Sequence, residues 1–141
     1  MNRSGYSEDY DDELQLGRWR GVIASTLRGQ RGQRFLRELV LALDRLPRAR
    51  LVKNVLETEE GEVCALGAVL RGRGMGPIGI DTEDWDQLGK ELDIAPQLAQ
   101  EVMYLNDEPS AVAITPEERW KYIRKWAVSN IKVREDEIID G

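Results

Sequence analysis

Apolar positions recur along most of the chain at the three- and four-residue spacing of helices, and breaker residues divide it into segments. From Glu13 to Leu27, residues Leu16, Trp19, Val22, Ile23, Thr26 and Leu27 fall within one arc at about 100° per residue, which predicts a first helix. A break is expected at Arg28-Gly29-Gln30-Arg31-Gly32-Gln33. The segment after it, to about Leu46, has the cleanest amphipathic pattern in the chain. Phe35, Leu36, Leu39, Val40, Leu43 and Leu46 lie on one side, Arg31, Arg34, Arg37 and Arg45 on the other, and Pro47 stops the run.

Residues 51–64 are ambiguous. Thr58-Glu59-Glu60-Gly61 has turn chemistry and favours a short hairpin into Val63 and Cys64, but a helix stays open. Cys64 to Leu70 is rich in small residues suited to a closely packed, buried helix, and Gly72, Gly74, Gly76, Pro77 and Gly79 mark a loop. Asp81 and Thr82 offer N-caps for a helix from Glu83 to about Leu92. Pro96 suits the first turn of the next helix, which ends near Asn106. Thr115-Pro116-Glu117-Glu118 reads as a capping box with proline at the first helical position, opening a helix with Trp120, Ile123, Ala127 and Ile131 inward and Tyr122 and Trp126 beside them. The expected fold is mainly α: a compact bundle of five or six helices, with or without one short β-hairpin. Residues 1–12 are expected to be a flexible acidic tail, 13–133 a single helical domain, and 134–141 a second acidic tail.

Composition narrows the chemistry. The 141 residues include no histidine and one cysteine. Histidine-dependent triads, Cys-His pairs and His-ligated metals are excluded, as is an intramolecular disulfide. Cys64, in an apolar stretch, is expected to be a buried structural thiol. A reducing cytoplasm is the expected location, since the first ten residues lack an apolar signal core and no apolar run approaches the ~20 residues of a membrane span.

The net charge of −6 hides a strong segregation: residues 17–53 carry +8, residues 77–118 carry −10, and residues 119–134 hold six bases and no acid. Such blocks either pair within the fold or face a charged partner.

Four kinds of residue are candidates for function. Arg28, Arg31, Arg71 and Arg73 lie in two Arg-Gly segments that could cradle a phosphate, although neither has P-loop or dinucleotide-fingerprint spacing. Glycine termination of helices is the plainer reading of both. The acids Asp81, Glu83, Asp84 and Asp86 could form an interface, and Asp81, Asp84 and Asp107 could serve a carboxylate- or metal-dependent enzyme. Their spacing fails the EF-hand pattern, and acids at helix starts are ordinary caps. Trp85, Tyr122 and Trp126 are candidate interface aromatics, set against the commoner role of aromatics in the core. The basic face of residues 18–53 could contact nucleic acid, with structural pairing rated above it.

Several strings carry a family resemblance: Trp19-Arg-Gly, Arg28-Gly-Gln-Arg-Gly-Gln-Arg-Phe-Leu-Arg-Glu-Leu39, Ala42-Leu-Asp44, Gly61-Glu-Val-Cys-Ala-Leu-Gly-Ala-Val69, Tyr104-Leu-Asn-Asp-Glu108 and Thr115-Pro-Glu-Glu-Arg-Trp120. Across most of residues 3–131 the chain resembles a family of small proteins carried by tailed phages and prophages of proteobacteria. That family brings no activity, catalytic residue, cofactor or metal to carry over. The resemblance implies an accessory or early gene product acting in a bacterial host. By class analogy, the expected function is non-enzymatic: binding that inhibits or redirects a host protein complex, including a defence complex such as a CRISPR effector. The alternative is a binding module for a nucleotide signal or nucleic acid through the two Arg-Gly segments.

Overall fold

The computed structural model describes residues 13–75, 84–107 and 115–132, with side chains from Gly17 onward in the first helix. These residues form six helices: α1 Glu13–Arg28, α2 Gln30–Asp44, α3 Ala65–Gly72, α4 Trp85–Leu92, α5 Pro96–Asp107 and α6 Pro116–Asn130. The mainly α expectation holds. The amphipathic α2 lies at the centre, packing on α6, α3 and α1, while α5 packs on α4, α1 and α3. Phe35, Leu36, Leu39 and Leu43 of α2 meet Leu66 and Leu70 of α3 and Ile123 of α6 in one core, all essentially without solvent contact. Burial of this apolar area is the main favourable term in the fold.

The α1–α2 junction is much tighter than the sequence predicts. Instead of a six-residue break, Gly29 alone separates the helices as the α2 N-cap, with an extended backbone at ψ 164°. The first turn of α2 then sits directly on the last turn of α1. A Cβ at Gly32 would lie 2.0 Å from the Thr26 carbonyl oxygen, so this glycine is a contact surface inside a helix and not part of a loop. The face of α1 is also narrower than expected. Ile23 and Leu27 are buried and Trp19 packs against the core, but Val22 is exposed.

The 51–64 segment resolves toward the hairpin in minimal form. Among the described residues the β pairing is a single antiparallel bridge, Glu57 with Val63. Gly61 turns the chain at φ 83°, and its N–H donates to the Thr58 carbonyl at 3.0 Å. The segment delivers Leu56 against α3, where a Cβ on Gly67 would fall 2.0 Å from the Leu56 carbonyl oxygen. Cys64 is buried and caps α3, its Sγ accepting from the Gly67 N–H.

Helix α4 starts later than predicted. Its N-cap is Asp84, which accepts from the Gln87 N–H at 3.0 Å, and its first residue is Trp85. The expected caps Asp81 and Thr82 lie outside the described residues. Asp93 ends α4 in the left-handed conformation at φ 57°. The α6 capping box forms as read: Thr115 accepts from the Glu118 N–H, and the Glu118 carboxylate accepts from the Thr115 N–H, both at 3.1 Å. Hydrogen bonding from the Thr115 N–H, and then from the Thr115 side chain, holds the Glu118 carboxyl below its usual pKa. Among the described residues no helix is long and apolar enough to cross a membrane.

Two buried polar side chains join distant segments. Asn106 is fully buried; its Oδ1 accepts from the Ala65 N–H and its Nδ2 donates to the Val52 carbonyl, both at 3.0 Å. Arg119 is 5% exposed and donates through Nη1 to the Leu51 carbonyl at 2.9 Å. Burial lowers the Arg119 pKa, and the field of Asp107 acts against that shift.

Candidate interaction surface

The four arginines proposed as anion contacts do not share one cradle. Arg73 is committed to the scaffold: its guanidinium meets the Glu38 carboxylate in a fork, with Nε–Oε2 and Nη2–Oε1 both at 2.6 Å. It also donates to the carbonyls of Glu91 and Leu92 at the end of α4. The paired Glu38 carboxylate raises the Arg73 pKa further. Arg71 donates to the Gly61 carbonyl and lies 3.3 Å from Glu57, bracing the turn it faces. Arg31 lies 3.5 Å from Asp93. Arg28 sits apart from these, in the hollow between α1 and the end of α6, whereas Arg71 lines a different hollow beside Pro47 and Glu60.

The carboxylates do not converge either. Asp84 is a helix cap, and Asp107 accepts from the Asn54 N–H and from Asn106 Nδ2. Asp86 is exposed on α4, and Asp81 and Glu83 lie outside the described residues. Of the candidate aromatics, Trp85 and Trp126 are half-buried and pack against the core, while Tyr122 is 41% exposed.

Two adjacent hollows remain, meeting at Ser129, which lines both. The first, about 460 Å³, runs between α1 and the C-terminal end of α6. Ile23, Leu27 and Ile131 line its apolar part, and Arg20, Arg28 and Lys132 supply its cations. In its wall Trp19 Nε1 donates to Glu101 Oε1 at 3.2 Å. Burial pushes the Glu101 carboxyl above its usual pKa, and the Trp19 hydrogen bond only partly offsets that. The second hollow, about 410 Å³, lies along α6 between Trp120 and Ser129 and includes Lys121, Arg124 and Lys125. Arg124 stacks over the Trp120 ring, 5.9 Å from its centroid, and forks onto Asp44.

The pattern of α6 explains why its outer face is exposed among the described residues. Arg119, Ile123 and Ala127 turn inward and are buried. At 100° per residue, Val128, Lys121, Lys125, Ser129, Glu118 and Tyr122 then occupy an outward arc of about 120°. Val128 is 46% exposed and Tyr122 41%. Together the two hollows hold six cations, Arg20, Arg28, Lys121, Arg124, Lys125 and Lys132, against the single carboxylate of Glu101. Among the described residues only Arg124 of these six has an ion-pair partner.

No family model matches the chain, and no curated protein or solved structure matches it.

The sequence alone did not single out Glu101, Gln33 or Lys132. Gln33 is the bracket of the first hollow. Its Nε2 donates to the carbonyls of Leu27, at 2.6 Å, and Asn130, at 2.9 Å, and its Oε1 accepts from the Lys132 N–H at 2.7 Å. Its partners at the end of α6 and just past it lie 97 and 99 residues away, so no local pattern signals the role.

Proposed function

We propose that this chain is a non-enzymatic binding protein that acts in a bacterial cytoplasm by docking on a host protein complex and inhibiting or redirecting it. The observation that carries this reading is the surface formed by the two hollows. It is strongly basic on a chain of net charge −6, and it includes the exposed Val128 and the accessible edges of Trp19 and Trp120. A cluster of cations steers association with an acidic surface, and partly buried aromatics and aliphatics hold the complex once formed. The phosphate-ligand reading has less support, because Arg28 and Arg71 line separate hollows and Arg73 is tied to Glu38. The resemblance to phage-encoded proteins is consistent with a host target and proposes a defence complex as one class of partner.

The test is affinity capture from a proteobacterial lysate with the full chain and a Lys121→Glu/Lys125→Glu variant. The expected result is a discrete protein complex, retained in stoichiometric amount by the wild type and lost with the variant. The reading falls if no complex is retained, or if the variant retains the same one.

A further inference from the structure

We infer that the hollow between α1 and the end of α6 is the seat for an acidic peptide segment of the partner, one that carries an apolar anchor side chain. This deepens the proposed function and rests on it. Three features of the hollow define the occupant.

Its floor is apolar: Ile23 and Leu27 are 7% and 9% exposed, with Ile131 packed beside them. Its volume, about 460 Å³, lies in the range of sites that enclose a bound group, roughly 300–1,000 Å³. An aromatic or branched aliphatic side chain placed there would remove both its own surface and the floor from water. Its rim is cationic, because no ion pair among the described residues engages Arg20, Arg28 or Lys132. Carboxylates flanking the anchor would meet these cations. Finally, its walls are fixed before any ligand arrives. Gln33 ties the end of α1 to the end of α6 through three hydrogen bonds, so little ordering of the walls remains to oppose binding. Glu101 disfavours a polyphosphate backbone, which would bring many phosphates past a wall carboxylate. A peptide can place a hydroxyl, amide or apolar group at that point.

A randomised dodecapeptide display selection against the full chain tests this, followed by fluorescence anisotropy with the enriched peptides. The expected peptides are enriched in Asp and Glu around at least one Phe, Trp, Leu or Ile. Arg28→Glu and Ala24→Trp, the second filling the hollow from its α1 wall, are each expected to weaken them about tenfold or more. Lys53→Glu, the same charge reversal at an exposed site lining neither hollow, is expected to change affinity less than about twofold. Unchanged urea midpoints establish that each variant folds.

Several results overturn the inference: no enriched peptide, peptides without acidic bias, or binding indifferent to Arg28→Glu and Ala24→Trp. Two others reassign the occupant and overturn it equally. One is concentration-dependent self-association abolished by Ala24→Trp, and the other is oligonucleotide binding abolished by Arg28→Glu. If the peptide arm fails while lysate capture persists and remains sensitive to Lys121→Glu/Lys125→Glu, the groove assignment alone fails. If capture also fails, the binding function fails with it.

Discussion

Arg73 separates a scaffold role from a ligand role most cleanly. Its side chain is 25% exposed and that of Glu38 is 31% exposed, so the fork between them is largely shielded from water and salt. Replacing Arg73 with Ala removes two charge-assisted hydrogen bonds at 2.6 Å and leaves Glu38 half-buried without its partner. It also strips the donors from the Glu91 and Leu92 carbonyls at the end of α4. Hydrogen bonds to charged groups contribute about 1.5–3 kcal/mol when one partner is deleted, and neighbouring losses overlap. The expected cost of Arg73→Ala is therefore about 3 kcal/mol, or on the order of 10 °C in melting temperature for a chain of this size. Arg73→Lys keeps the charge but not the fork, and should recover less than half of that. A double-mutant cycle with Glu38→Ala should return a coupling of about 1–2 kcal/mol in urea denaturation. If Arg73→Ala melts within about 0.5 kcal/mol of the wild type, the side chain is not holding α3 to α2 and α4, and its availability to a ligand has to be reconsidered.

Four further substitutions probe the scaffold. Gly67→Ala would put a methyl 2.0 Å from the Leu56 carbonyl oxygen and should cost at least about 3 kcal/mol in urea denaturation, whereas Gly21→Ala, with nothing described within 4 Å, should stabilise by roughly 0.5–1 kcal/mol. Asn106→Leu would orphan the Ala65 N–H and the Val52 carbonyl; it should cost about 3 kcal/mol and accelerate amide hydrogen exchange at Ala65. Glu101 has a raised pKa in the fold, so its native form is favoured when protonated, and the associated stability is lost as pH rises through that pKa. Glu101→Gln should therefore melt higher than the wild type at pH 7 and close to it at pH 4, by thermal denaturation at matched ionic strength.

What the sequence makes legible follows from the range of the interactions. The α6 capping box is local: Thr115, Pro116 and Glu118 carry their meaning within one helical turn, and the structure forms it as read. The α2 face is legible for the same reason, since Phe35, Leu36, Leu39, Val40 and Leu43 repeat on one side of one helix. The α1–α2 corner is misread because Gly29 and Gly32 look alike in the sequence. One ends a helix, and the other removes a Cβ so that two backbones can touch, which depends on where α1 lies. The buried polar links are invisible for a stronger reason. Asn106 serves Ala65 across 41 residues and Arg119 serves Leu51 across 68, and neither leaves a periodic or local trace. In the sequence Asn106 marks where a helix ends, whereas burial makes it a structural hydrogen-bonding hub.

The two large charge blocks meet less than their sizes suggest. Ion pairs between the described residues of 17–53 and 77–118 include Arg31 and Arg34 with Asp93, and Arg50 with Glu117 at 3.9 Å. The Asp93 pairs join side chains 53–65% exposed, where screening and side-chain entropy leave an ion pair worth about 0–1 kcal/mol. The stronger forks, Arg73 with Glu38 and Arg124 with Asp44, bring a base from outside the basic block to an acid within it. They neutralise Glu38 and Asp44, the two acids of residues 17–53. Among the described residues, the ion pairs that join the two blocks are exposed and weak. Arg20 and Arg28 of this block lie instead beside Lys132, next to the Lys121 and Lys125 face of α6. The gathering of cations around two apolar-lined hollows is the physical ground for reading this surface as a place where something acidic docks.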